Sequence, residues 1–152
     1  VAGMDAAVVY LAQLGRTLDG KAGAPEPHTL REDVIGAMRA IRIYEQQLSI
    51  ELARVLRECG ARIYGIDSDA RVSERVPTFC FNLPGVAPQA VSEAAARAQI
   101  GIRDGHMYSP RLMQRLGVPS ETGVVRASLV HYNTLAEIHR FGNVLSDLRP
   151  RS

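Results

Sequence analysis

Apolar residues follow helical spacing over the first fifteen positions of the chain. The stretch VAGMDAAVVYLAQLG (residues 1–15) predicts a mostly buried helix, and Gly15 is a residue type often found just past a helix end. The next stretch, residues 16–28, is rich in Gly, Ala and Pro and predicts an exposed loop. Because natural chains seldom open inside a buried element, we expect this sequence to be the tail of a longer protein.

A second helix is predicted by a capping signal followed by a long periodic stretch. Thr29 and Glu32 have the spacing of a capping box, in which each side chain accepts a hydrogen bond from the other residue's backbone N–H. The apolar positions that continue this helix are Ile35, Met38, Ile41, Leu48, Leu52, Val55 and Leu56. The predicted helix, residues 30–58, is long for a globular domain. We therefore expect it to connect two layers or two domains.

The pattern changes after residue 60 to short apolar runs that are typical of strands. Four strands are predicted, at residues 61–66, 76–83, 99–103 and 123–130. Three helices are predicted among and after these strands. The first begins at Pro88, with Val91, Ala94, Ala95 and Ala98 inward, and the second runs from Ser109 and Pro110 to Gly117. The third begins at the capping box Thr134–Glu137, with Ile138, Phe141, Leu145 and Leu148 on one face. This alternation predicts an α/β fold with about four strands and helices packed on them.

Composition and charge exclude several classes of protein. The net charge is +2 with both signs interspersed, which argues against a nucleic-acid surface. No apolar run is long enough for a membrane span, and no signal peptide opens the chain, so we expect a cytoplasmic protein. The four His residues and two Cys residues lack metal-site spacing. Cys59 and Cys80 are expected to be reduced packing residues.

Arg126 interrupts an apolar strand in the stretch GVVRASLVHYNT (residues 123–134). Among the segments that could carry chemistry, this stretch has the most specific pattern. A half-buried guanidinium is costly unless an anion meets it, and the Arg fork suits a carboxylate. The residues alone leave two interpretations open. Arg126 either binds the carboxylate of a small molecule or pairs with an Asp or Glu of the protein.

The segment RDGHMYSP (residues 103–110) could place reactive side chains on a loop after a strand. His106 could stack on a ring or transfer a proton, although a His in such a loop is more often simply hydrogen-bonded there. Tyr108 could donate a proton or simply pack, whereas Ser109 is better suited to capping the next helix. Lys21 is the single lysine, and nothing in its Gly-rich loop would desolvate it as a Schiff-base lysine requires.

These two segments together resemble the C-terminal part of the class V aminotransferase family. The match is closest to its cysteine-desulfurase-like branch, whose members have an R-x-G-H-x-C segment, a short helix, a strand with Arg, and then Y-N-T-x-x-E-I. Here the corresponding stretches are RDGHMY (residues 103–108) and VVRASLVHYNTLAEI (residues 124–138). The resemblance covers residues 60–148 well and reaches more loosely to the start of the chain.

The resemblance implies a homodimeric enzyme in which a large domain binds pyridoxal 5′-phosphate as a Schiff base and a small C-terminal domain closes over an amino-acid substrate. Residues 1–29 would end the large domain, residues 30–59 would form the linking helix, and residues 60–152 would form the small domain. Arg126 would bind the substrate carboxylate. Arg103 and His106 match the loop before the nucleophile.

Two departures from the family pattern limit what the resemblance implies. Tyr108 occupies the position of the desulfurase cysteine, and a phenol cannot form a persulfide, so we expect a different transferase or lyase reaction. The cofactor lysine would lie upstream of Val1, so this chain alone is expected to be inactive. The alternative is a stand-alone α/β module that binds a small carboxylate or a protein partner and catalyses nothing.

Overall fold

The computed structural model describes residues 2–18 and 29–149, which form two helices followed by alternating strands and helices. The elements are α1 (Ala2–Leu18), α2 (Leu30–Glu58), β1 (Arg62–Tyr64), a 3-10 helix (Asp69–Glu74), β2 (Thr78–Asn82), α3 (Pro88–Arg97), β3 (Arg103–Gly105), α4 (Pro110–Arg115), β4 (Val124–Ser128) and α5 (Leu135–Asp147). The chain divides within α2 into two compact units, residues 1–45 and 46–152. Among the described residues, no helix has the length and apolarity needed to cross a lipid bilayer.

The four strands form one antiparallel sheet in the order β1-β2-β4-β3. Because side chains alternate between the faces of a strand, the register assigns each residue to one face. Phe79, Phe81, Val125 and Ala127 share one face, and all four are buried. The predicted α/β fold with about four strands and packed helices is therefore confirmed.

The buried face of the sheet is covered by helices of the second unit. α3 packs against β3, β4 and α5, and the rings of Phe81 and Phe141 meet edge to face with their centroids 6.2 Å apart. On α5, a Cβ atom at Gly142 would lie 2.7 Å from Cγ1 of Val55, so the missing side chain lets α5 approach α2 closely.

The capping signals correctly predicted where two helices begin. The backbone N–H of Thr29 donates to Glu32 (2.9 Å) and that of Glu32 donates to the Thr29 hydroxyl (3.3 Å), so the capping box of α2 is complete. Thr134 and Glu137 form the same box on α5. The predicted bounds of the long helix, residues 30–58, are confirmed. Of the apolar residues at helical spacing on α2, Ile35 and Met38 are 37% and 52% exposed.

The prediction for the first helix is wrong in its end and in its burial. α1 continues past Gly15 to Leu18, and only Ala12 and Gly15 are buried on it. Gly15 is a packing residue instead of a helix end, since a Cβ atom there would lie 1.9 Å from the carbonyl oxygen of Asp33. Residues 16–18, which were predicted to begin the loop, are therefore the last residues of α1. Residues 19–28 of the predicted loop lie outside the described residues.

Three predicted strands are confirmed with shorter bounds, but the third is shifted along the chain. It runs from Arg103 to Gly105 instead of over residues 99–103. The backbone N–H groups of Gln99 and Ile100 donate to Ala96 and Ala95, and these bonds fold the chain back onto the end of α3. A segment that closes a helix in this way cannot extend as a strand, which is why pairing begins only at Arg103.

Candidate functional site

A row of four side chains crosses the face of the sheet that is not covered by α3 and α5. Tyr64 on β1 pairs with Cys80 on β2, Cys80 pairs with Arg126 on β4, and Arg126 pairs with Arg103 on β3. Residues that oppose one another in a register project to the same side. The sheet therefore places the two predicted substrate-binding arginines next to each other.

Arg126 is half-buried and has no carboxylate partner among residues 2–18 and 29–149. Arg103, its exposed neighbour, likewise forms no ion pair within those residues. Two like charges opposite each other on a sheet are unfavourable unless an anion lies between or beside them. The interpretation in which Arg126 pairs with an Asp or Glu of the protein finds no support in the described part of the chain.

Both arginines line one open groove at the edge of the sheet. Its wall consists of Gly101, Ile102, Arg103, Arg126 and Ser128. Ser128 lies two residues after Arg126 on β4 and therefore on the same face. The period-2 alternation of the sequence VVRAS could have predicted Ser128 at this site, whereas Gly101 and Ile102 follow only from the shifted position of β3.

Cys80 is the thiol closest to the arginine pair in the sheet. Burial raises its pKa, and the guanidinium groups of Arg126 and Arg75 offset part of that effect. The thiolate is the nucleophilic form of cysteine, so a raised pKa makes Cys80 a poor nucleophile. Its side of the row also packs into a small apolar cluster, which is consistent with the predicted packing role.

The predicted reactive loop forms a tight turn directly after β3. The backbone N–H of Tyr108 donates to Nδ1 of His106 (3.1 Å), and the two rings meet edge to face at 6.3 Å. Because Nδ1 accepts this bond, the neutral His106 ring carries its proton on Nε2. Tyr108 is 90% exposed, so its phenol is accessible to solvent.

The turn is tied to the sheet by the residue between the two rings. Met107 packs with Val124 of β4 in an apolar cluster with Met113 and Val118. Ser109 occupies the predicted capping position of α4, but its hydroxyl donates to the carbonyl of Met107 (3.3 Å) and caps nothing. The capping role predicted for the Ser109 side chain is therefore wrong, and the hydroxyl instead strengthens the turn.

The structure groups the predicted site residues into two pairs, Arg103 with Arg126 and His106 with Tyr108. Across the described ranges, no hydrogen bond, ion pair or ring contact joins one pair to the other. The single lysine, Lys21, lies outside those ranges, so the described residues offer no amine for a Schiff base and do not fit a pyridoxal-phosphate site. They also contain no group of three or more His, Cys, Asp or Glu placed to hold a metal ion.

Comparison with curated proteins identifies relatives that are much longer than this chain. The chain is 42% identical over 101 residues to the aminotransferase-like protein FGM3 of Gibberella zeae, covering 65% of the chain and 25% of that protein. It is 29% identical over 102 residues to a cysteine desulfurase of Synechococcus elongatus, covering 66% of the chain and 15% of the relative. The chain thus spans a quarter or less of the length of these two proteins.

Comparisons with solved structures and with family models also find similarity to aminotransferases and cysteine desulfurases. The apo cysteine desulfurase of Thermococcus onnurineus superposes with a TM-score of 0.66 at 28% identity, over 78% of this chain and 29% of that one. The model of the aminotransferase class V family matches residues 34–141, which include β1 to β4, both arginines and the turn at Tyr108. The chain belongs to the class V aminotransferase family.

Proposed function

We propose that this chain is the C-terminal portion of a pyridoxal-phosphate-dependent enzyme that acts on an amino acid. The observation that carries the proposal is the half-buried Arg126, which lines a groove beside Arg103 and has no carboxylate partner in the described residues. An amino acid offers the planar carboxylate that a guanidinium binds with two parallel hydrogen bonds. Arg126 would bind and orient this carboxylate, and Arg103 would add a second positive charge.

The cofactor itself would be held by residues that this chain does not contain. Relatives in the class V family generally depend on pyridoxal phosphate, and the chain corresponds to only a quarter or less of the length of the two curated relatives described above. We assign residues 1–29 to the end of the cofactor domain, residues 30–59 to a linking helix and residues 60–152 to the small domain. In this arrangement the chain alone is inactive, and the complete protein is a cytoplasmic homodimer.

The reaction proposed for the complete protein differs from persulfide formation. Tyr108 presents a phenol, which cannot take up the sulfur of a substrate as a thiolate does. Cys80 lies beside Arg126 in the sheet, but burial raises the pKa of its thiol, which makes it a poor nucleophile. We therefore assign the enzyme to transferase or lyase chemistry at an amino acid, with Tyr108 and His106 at the entrance of the site as candidates for proton transfer.

Exposed apolar side chains support the assignment of a covering domain. Met38, Ile43 and Ile50 on α2 are 52%, 61% and 37% exposed, as is Met4 on α1 at 79%. Apolar residues on the outer surface of a long helix are commonly covered by another domain or subunit. A stand-alone binding module, the alternative to the enzyme, would leave this surface in water.

The first test is the absorbance of the complete protein purified from its source. We expect a visible band that borohydride reduction abolishes, together with a mass well above the 16.6 kDa of this chain. A folded, monodisperse protein of 16.6 kDa without a chromophore would contradict the enzyme proposal. Arg126 would then belong to a carboxylate-binding module.

The second test measures the role of Arg126 in substrate binding. The complete protein is screened with the common L-amino acids, and the best substrate is used to compare Arg126→Lys with a matched control, Arg97→Lys on the exposed end of α3. Losing a bidentate charge-assisted bond is worth about 1.5–3 kcal/mol, which corresponds to a KM about tenfold to a hundredfold higher. Equal KM values for the two variants would remove Arg126 from the site.

A further inference from the structure

The turn that presents Tyr108 has an unfavourable backbone conformation at two consecutive residues. Met107 and Tyr108 have φ angles of +50° and +57°, although neither is a glycine. Side chains with a Cβ atom rarely adopt this left-handed region, and bulky ones least of all. Such a conformation persists only where surrounding contacts impose it, and it is frequent at functional sites.

The contacts inside the turn do not by themselves fix its position on the sheet. The backbone N–H of Ser109 donates to the carbonyl of His106 (2.8 Å), and that of Tyr108 donates to the His106 ring. These bonds connect residues 106–109 to one another. The turn is held against β4 by the packing of Met107 on the cluster that contains Val124 and by a second contact between backbones.

Gly123 provides the backbone contact by means of its missing side chain. It is buried, its φ angle is +66°, and a Cβ atom on it would lie 2.1 Å from the carbonyl carbon of Gly105 and 2.6 Å from the nitrogen of His106. The two glycines also form an isolated β-bridge. The peptide that begins the turn thus lies directly on the backbone of Gly123, closer than any other residue type would allow.

Asn82 holds Gly123 from the neighbouring strand. Its Nδ2 donates to the carbonyl of Gly123 (3.2 Å), while its buried Oδ1 has no hydrogen-bond partner among residues 2–18 and 29–149. A buried acceptor without a partner is costly.

We propose that Gly123 and Asn82 are positioning residues, which hold the turn of residues 105–108 in the conformation that presents the Tyr108 phenol to the substrate. This inference rests on the proposed function, because it assumes that Tyr108 acts at the site. The line of contact runs from the Asn82 amide to the Gly123 backbone, from there to Gly105, and through His106 to Tyr108. Arg126 takes no part in it.

The test measures amide hydrogen exchange at Tyr108 and Ser109 in the isotope-labelled chain. Gly123→Ala is compared with Gly117→Ala, which has nearly the same backbone angle (φ +68°) but no atom within 4 Å of the added Cβ. Both variants carry the same left-handed strain, and only Gly123→Ala pushes the turn away. We expect exchange at the two amides to rise about tenfold in Gly123→Ala relative to Gly117→Ala, with core amides such as Phe79 unchanged between them.

Equal exchange in the two glycine variants would overturn the inference, and so would a rise that affects the core amides to the same extent. If Gly123→Ala fails to fold, Asn82→Ala decides the question, since it removes only the hydrogen bond to Gly123. Faster exchange at Tyr108 in Asn82→Ala supports the inference, and unchanged exchange overturns it. This measurement requires neither cofactor nor substrate, so its failure is separate from a failure of the Arg126 test.

A kinetic measurement on the complete protein separates positioning from general stability. Gly123→Ala is expected to lower kcat while leaving KM unchanged, because Arg126 and its groove are untouched. Combined with Tyr108→Phe, it is expected to cause no further loss, since residues that act through one group are not additive. Additive losses in the double variant would show that Gly123 acts independently of Tyr108 and would overturn the inference.

Discussion

Replacing Gly15 by Ala should destabilise the first unit, although this change normally stabilises a helix. Ala is favoured over Gly in a helix interior by about 1 kcal/mol. Against this gain, the new Cβ would lie 1.9 Å from the carbonyl oxygen of Asp33 and 2.9 Å from the nitrogen of Ala37. Both are backbone atoms, so no side chain can rotate away, and α1 must move by about 1 Å.

The same movement weakens the ion pair between the two helices. Nε of Arg16 lies 2.6 Å from a carboxylate oxygen of Asp33, whose side chain is only 4% exposed. A nearly buried carboxylate that loses its partner is costly, and this adds to the overpacking term of about 1–3 kcal/mol. Subtracting the helix gain of about 1 kcal/mol from the overpacking leaves about 0–2 kcal/mol, and the weakened ion pair raises the expected cost of Gly15→Ala in the unfolding of α1 further.

The assay compares hydrogen exchange of the α1 amides in Gly15→Ala with that in a matched control, Gly3→Ala. Gly3 lies on the same helix with no atom within 4 Å of an added Cβ, so it reports helix propensity alone. We expect slower exchange in Gly3→Ala and faster exchange in Gly15→Ala. Equal or slower exchange in Gly15→Ala would refute the argument that the missing side chain permits the close approach of α1 to the backbone of Asp33 and Ala37.

Two further changes test the second unit. Thr134→Ala removes the cap of α5 and should cost about 1 kcal/mol in urea unfolding, whereas Thr122→Ala in a surface turn should cost less; equal costs would contradict the capping role. Glu51 should contribute to stability at neutral pH, because hydrogen bonds from Arg54 and then from His139 lower its pKa from 4.5 to about 2. This contribution is lost as the pH falls from 4.5 to about 2, so the free energy of unfolding of Glu51→Gln should depend less on pH in that range. The same pH dependence in Glu51→Gln and in the unchanged protein would exclude a contribution of Glu51 to stability.

Local rules predicted the features of the fold that depend on neighbours in sequence. Both capping boxes are present because Thr and Glu three residues apart can satisfy each other's backbone without help from the rest of the chain. The long α2 and three of the four strands, β1, β2 and β4, follow from apolar spacing in the same way. The candidate Arg126 could also be chosen from sequence, since a charged residue inside an apolar strand stands out in any fold.

The tertiary structure decided the features that depend on residues far apart in sequence. Gly15 is read as a helix end by local rules, yet the backbone of Asp33 makes it a packing residue inside α1. The pairing of Arg103 with Arg126 depends on where β3 begins, and that start is set by bonds back to the end of α3. The contact of Gly123 with Gly105 joins positions eighteen residues apart, so the backbone conformation of Tyr108 cannot be predicted from the residues next to it in sequence. Spacing along the chain specifies helices and strands, whereas which backbones touch is decided only when the sheet and its helices assemble.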